Sequence, residues 1–191
     1  MVRIKQLFSI IITLLILGCA SQQAGLKFSS PDVDVHKKVN DFIDLTKNDQ
    51  KLVRKIEKAK GFSAMGVMGE VLPLLQQKNG LKTVIVKDLL AIMDSSENDA
   101  KRMEAWKGFS VILKNIDLEK LKQLKGETES NVAYSIAAKY EGILFTNKPK
   151  QAFGYINMTY DMLKEKVSQV SGKETNDEVK AQSILVMDKF K

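Results

Sequence analysis

The chain has 191 residues, 44% hydrophobic and 28% charged, with 30 basic side chains against 23 acidic ones and a formal net charge of +7. That balance excludes a mostly disordered, collagen-like or disulfide-rich chain, and the length suits one domain with a real core. One cysteine, Cys19, rules out an intrachain disulfide, and one histidine, His36, rules out a multi-histidine zinc site.

Arg3 and Lys5 give the N-terminus a positive start, with no acid before Asp32. Leu7 to Leu17 is apolar apart from Ser9 and Thr13, too short for a comfortable spanning helix of about 20 apolar residues. A charged start, a short apolar stretch and a small residue before a cut describe a secretory signal. The stretch closes on Ile16-Leu17-Gly18-Cys19. This run resembles the lipobox of bacterial lipoproteins: an aliphatic residue, a tolerant position, Gly or Ala, then Cys. Leu17 departs from the Ala or Ser more usual at its place. The resemblance implies that Cys19 carries a diacylglyceryl thioether, that residues 1–18 are removed, and that the new amine is open to acylation. One acyl chain anchors marginally, whereas two or three, at about 0.8 kcal/mol per buried methylene, anchor stably. The residues also fit an uncleaved membrane anchor or an ordinary signal with an incidental cysteine. Ala20 and Ser21 follow Cys19, and neither is acidic. By analogy with enteric-type bacteria, where an Asp there retains a lipoprotein at the inner membrane, a Gram-negative source implies the periplasmic face of the outer membrane.

Removal of residues 1–18 leaves 173 residues and 28 basic side chains against 23 acidic ones, a balance of +5. Residues 19–30 are mostly small and polar and read as a lipidated flexible tether, and 31–191 as a single all-helical domain. Ser30 suits a helix N-cap, with Pro31 first in the helix and Asp32 and Asp34 near its positive end; Val35, Val39, Phe42 and Ile43 follow at helical spacing. Thr46 to Asp49 predicts a break, then a second helix carries Leu52, Val53, Ile56 and Ala59 and stops at Gly61. Ser63 suits the cap of a segment in which Gly66 and Gly69 alternate with Met65, Val67 and Met68, and in which Pro73 implies a kink or a restart. Asn79-Gly80 predicts a turn, followed by a helix with Leu81, Ile85, Leu89, Ile92 and Met93 on one side. Ser96 and Asp99 resemble a capping box for a helix with Met103, Trp106, Phe109 and Leu113. Asp117 caps a short helix with Leu118, Leu121 and Leu124, closed by Gly126. Thr128 or Ser130 starts a helix through Val132, Ile136 and Tyr140, and Pro149 opens another through Phe153, Ile156, Tyr160, Leu163 and Val167. Thr175 and Glu178 box the start of a last helix carrying Val179, Ser183, Leu185, Val186 and Phe190.

The prediction is therefore an all-α fold of about eight helices, either an antiparallel bundle or a short helical-hairpin array. Helix starts near Ser63, Glu97 and Ser130 resemble tetratricopeptide arrays in spacing, but the W-x2-L-G-x2-Y element of that repeat is missing.

Chemistry-bearing constellations are few. His36 stands beside Lys37 and Lys38 with no nucleophile, and reads as a solvated helix residue. Asp94, Glu97 and Asp99 have the oxygens for calcium but not the spacing of an EF-hand, and read as capping acids. No Walker loop, nucleophile elbow or dinucleotide fingerprint occurs. Lysines at 37–38, 51–60 and 120–125 are interleaved with acids such as Asp41, Asp44, Glu57 and Glu119, as on a solvated face. Met65 and Met68 beside small residues suit an adaptable apolar groove, and Tyr134, Tyr140, Tyr155 and Tyr160 a peptide-binding concavity; core packing is the plainer reading of both. No cofactor, metal or nucleic-acid partner is indicated. The expectation is a non-enzymatic envelope lipoprotein, membrane-bound through Cys19, that serves an envelope protein partner as interaction or assembly adaptor. The alternative is a carrier or sensor of a hydrophobic ligand held between helices.

Overall fold

The computed structural model describes residues 27–59, 62–145 and 153–191; the side chains of residues 56–57, 62–65 and 143–145 lie outside that description. Residues 1–26, with the expected signal, Cys19 and most of the expected tether, also lie outside it, as do Gly61 and Pro149. The described residues form seven α-helices and no strand: α1 Val33–Lys58, α2 Phe62–Ser95, α3 Asp99–Leu113, α4 Leu118–Lys122, α5 Val132–Phe145, α6 Tyr160–Lys173 and α7 Asp177–Met187. A 3-10 turn, Asp188–Phe190, follows.

The folded body starts earlier than expected. Phe28 packs against the core, and its backbone is clasped by Asn40, which accepts from the Phe28 N–H at 3.0 Å and donates to its carbonyl at 2.9 Å. Asp32, not Ser30, caps α1 by accepting from the Val35 N–H at 2.9 Å.

Two expected breaks are absent. Helix α1 runs unbroken through Thr46 to Asp49, because Thr46 donates to the Phe42 carbonyl one turn back and Asp49 turns inward to an ion pair. Helix α2 runs through both Pro73 and Asn79-Gly80 as one continuous helix of 34 residues, about 50 Å of helical rise at about 1.5 Å per residue. Pro73 is exposed, as is Gly69 four residues before, so the carbonyl that Pro73 cannot satisfy faces water. Asn79 commits its side chain to a distant tyrosine instead of its own backbone, which removes the local bonds that would favour a turn. Continuity also resets the phase. Val71, Leu75, Lys82, Val86, Leu89 and Met93 make the inner face of α2, and Leu81, expected inside, is exposed.

Helix α2 is the hub, packing against α1, α3, α5 and α6, while α3 also packs on α1 and α7. Ion pairs Lys38–Asp88 and Lys82–Asp49 run α1 antiparallel to α2. Helices α1 and α3 approach closely at Gly108, where an added Cβ would meet Val39 Cγ2 at 2.5 Å. One helix touching four others makes a bundle, unlike an array in which each repeat meets only its neighbours.

The remaining boundaries shift by small amounts. Asn98 caps α3 two residues after the expected Ser96, Asn176 caps α7 one residue after the expected Thr175, and Asp117 caps α4 as expected. Gly126 adopts φ +75 in the turn after α4, and α5 begins only at Val132. Phe153 to Thr159 is not helical. Gly154 sits at φ +84 and gives its carbonyl to the Asp117 N–H, Phe153 gives its carbonyl to Lys120, and Thr159 caps α6. An added Cβ at Gly154 would lie 2.5 Å from Asp117 Cβ, so both conformation and space demand glycine.

Candidate functional site

The candidate site residues are dispersed by the fold. Cys19 and the Met65 side chain lie outside the described residues, and Met68 is half-buried against the core. Tyr134 stands on α5 at 78% exposure. Tyr140 and Tyr155 are buried and meet edge to face, centroids 5.6 Å apart at 87°. Tyr160 is half-buried, donates to the Phe190 carbonyl at 2.5 Å, and carries Lys122 over its ring at 4.8 Å. Two of the four tyrosines therefore join in the core, one staples the C-terminus, and one faces solvent; they form no common concavity.

The polar residues that do converge went unnoticed in the sequence. Asp49 of α1 and Lys82 of α2 pair at 2.6 Å with both side chains 3% exposed. Burial pushes the Asp49 carboxyl up and the Lys82 ammonium down, against the mutual attraction that favours both charges. Asn79 donates to the Tyr140 hydroxyl at 2.5 Å. Burial raises the Tyr140 phenol far above its ordinary range, so it stays neutral. Thr83 donates to the Asn79 carbonyl at 2.7 Å and accepts from the Asn157 N–H at 2.8 Å, pinning the segment before α6 to α2. Two buried oxygens, Asp49 Oδ1 and Asn79 Oδ1, have no hydrogen-bond partner among the described residues. The signal for this cluster was ambiguous, because Asp49 and Asn79 are also turn and capping residues.

The outer side of α2 has the opposite character. From Gly66 to Val84 its exposed residues are Gly, Gly, Glu, Pro, Leu, Gln, Gln, Leu and Val, with Glu70 the sole charge among them. Leu74, Leu81 and Val84 lie there at 42%, 48% and 54% exposure. Gly66, Gly69 and Gly80 have open space where a Cβ would go, so no contact within the described residues requires them.

The other groups weighed for chemistry are engaged structurally. Asp94 accepts from Lys173, and Asp99 accepts from Arg102 and Asn176. Lys37, Lys47 and Lys122 pair with acids three or four residues away, as on a solvated helix face. His36 lies in the first turn of α1, and among the described residues no group of three His, Cys, Asp or Glu could hold a metal ion. No described helix is long and apolar enough to cross a membrane. No family model, curated protein or solved structure matches the chain.

Proposed function

We propose that the chain is a bacterial envelope lipoprotein, anchored through Cys19, that acts without catalysis as a protein-interaction or assembly adaptor. The observation that carries the adaptor reading is the outer face of α2. Within a chain that is 28% charged, this face holds one exposed acid between Gly66 and Val84. Three glycines stand in a helix interior, where each costs up to about 1 kcal/mol against alanine, with no contact among the described residues to require them. A partner helix seated there would bury Leu74, Leu81 and Val84 and use the glycines for close backbone approach. The anchor reading rests on the positive start, the short apolar stretch and the lipobox-like Ile16 to Cys19. In a Gram-negative source, Ala20 and Ser21 favour the periplasmic face of the outer membrane.

Photoreactive residues at positions 74, 81 and 84, introduced in the native host, test the adaptor. One discrete adduct, shared by these positions and missing at exposed Lys107 and Ser168, is expected. Unmodified protein at every α2 position sinks the reading. Intact-mass analysis of the membrane fraction tests the anchor, and an unmodified Cys19 contradicts it.

A further inference from the structure

Helix α1 changes character halfway along. In its first half the exposed cations face acids, as Lys37 faces Asp41, and Lys47 still reaches back to Asp44. From residue 45 to residue 60 only two acids occur. Asp49 is buried against Lys82, and the side chain of Glu57 lies outside the described residues. Lys51, Arg54, Lys55 and Lys58 are exposed, with no acid partner among the described residues. A helix sets positions i, i+7, i+11, i+14 and i+18 on one side. Asn40, Lys47, Lys51, Arg54 and Lys58 have that spacing, and Lys55 stands one turn beyond Lys51. The row adjoins two more cations. Gln50, one turn before Arg54, lines an open hollow of about 570 Å³ together with Lys114 and Lys189. Burial, and then the Lys114 charge, hold the Lys189 ammonium below the usual lysine range. Asp117 and Glu119, the acids of that hollow, are taken by Lys120 and Lys122.

Lys51, Arg54, Lys55, Lys58, Lys114 and Lys189 thus lie on neighbouring surface with no acid partner among the described residues. A single-signed surface of this kind attracts anions from outside the fold. The large apolar side chains that anchor protein interfaces are exposed elsewhere, at Val33 and on α2, α5 and α7. A layer of anionic headgroups needs no such anchor and binds basic side chains by charge alone. The chain end points to the same occupant. Asn40, whose side chain clasps the Phe28 backbone, heads the cationic row. The chain that leads back to Cys19 therefore leaves the body beside that row. Cys19 stands eight residues before Lys27, at most about 28 Å of extended chain. The row from Asn40 to Lys58 spans about 27 Å of helical rise. A lipid on Cys19 therefore keeps the cations within reach of its own leaflet.

We propose that this side of α1, with Lys114 and Lys189, rests on the anionic phosphate headgroups of the leaflet that holds the anchor. The inference rests on the anchor reading for its choice of a leaflet, and it is independent of the partner proposed for α2.

Full-length protein carrying Cys19→Ser has no lipid, so its binding to vesicles does not depend on the anchor. Co-sedimentation compares vesicles of equal parts phosphatidylglycerol and phosphatidylcholine with vesicles of phosphatidylcholine alone. Residues 1–18 are common to every variant, so the excess on anionic vesicles, and its change on substitution, is the readout. An excess that fades with added salt is expected. Each basic side chain at an anionic surface is worth about fivefold in affinity, so Lys51→Gln, Arg54→Gln and Lys55→Gln together should weaken anionic binding about a hundredfold. Lys164→Gln, Lys166→Gln and Lys180→Gln, at exposed positions on α6 and α7, remove the same charge and should change it little. No excess on anionic vesicles, or an equal loss in the two triple variants, would overturn the proposal. So would retention by soluble polyglutamate without retention by vesicles, which would assign the surface to an acidic protein. Anionic binding together with an unmodified Cys19 in the membrane fraction would refute the anchor and leave the headgroup surface standing.

Discussion

Asp49 and Lys82 set the energetics at the residue scale. Two charges at 3% exposure repay their desolvation only while they hold each other. Lys82→Met leaves Asp49 buried without its hydrogen-bonded counterion, with only the longer-range charge of Lys78 near it, and should cost about 3–5 kcal/mol in urea unfolding, whereas Asp49→Leu with Lys82→Met should recover most of that loss. The pH dependence has a definite sign. The folded-state Asp49 carboxyl sits above its unfolded value, so the folded chain binds more protons in that window. Stability contributed by this group therefore falls as pH rises from the ordinary carboxylate range through the raised value. The Lys82 ammonium is depressed, so its contribution rises with pH between the lowered value and the ordinary lysine range. The doubly substituted protein should lack both slopes. A wild-type profile that overlays it across both windows would refute this assignment. None of this was legible from the residues alone. Asp49 and Asn79 carry short polar side chains that serve turns, caps and buried clusters alike, and only the tertiary neighbour decides among them.

At the scale of elements, the caps and the glycines give the sharpest tests. Asn176 accepts from the N–H groups of both Glu178 and Val179 and donates to Asp99, joining the starts of α7 and α3. Asn176→Ala should cost about 1 kcal/mol, measured by thermal unfolding. Gly154→Ala should cost more than Gly126→Ala. Both need left-handed backbone, but only Gly154 also has Asp117 in the way. On α2 the direction reverses. Gly66→Ala, Gly69→Ala and Gly80→Ala should each stabilise the isolated protein by about 0.5–1 kcal/mol, because the helix gains and no described residue clashes with the added methyl. If the outer face holds a partner helix, the same changes should weaken crosslinking there. Greater stability with unchanged crosslinking would separate the glycines from the partner.

Helix type was legible at this scale, because Val35, Val39 and Phe42, or Val132, Ile136 and Tyr140, recur at the right period and are buried. Helix length was not. Thr46 and Asn79-Gly80 are local stop signals, and packing along α1 and α2 overrides them. The phase of α2 followed from that error. Leu81 belongs inside only if a new helix starts after Gly80, and its exposure marks the surface that sequence periodicity concealed.

For the whole molecule, the bundle leaves two opposed faces on one long helix. The inner face of α2 binds α1, α3, α5 and α6, while the outer face from Gly66 to Val84 is nearly uncharged and uncovered by the described residues. The all-helical class was readable from composition and periodicity. The candidate groove was not, because it depends on which tyrosines face each other across the fold. Tyr140 and Tyr155 meet in the core, and Tyr134 stands alone outside. The lipid anchor is a separate claim with its own outcome. Cys19→Ser should release the protein from the membrane fraction, and continued membrane association would favour an uncleaved anchor.

The most direct test of the adaptor is the crosslinking pattern along α2 in living cells. Adducts of one mass at positions 74, 81 and 84, with the adduct at 84 lost when Leu74 and Leu81 are replaced by glutamate while Trp106 fluorescence still reports a folded core, are expected. Equal labelling at these positions, at Lys107 and at Ser168, or none at all, would contradict it.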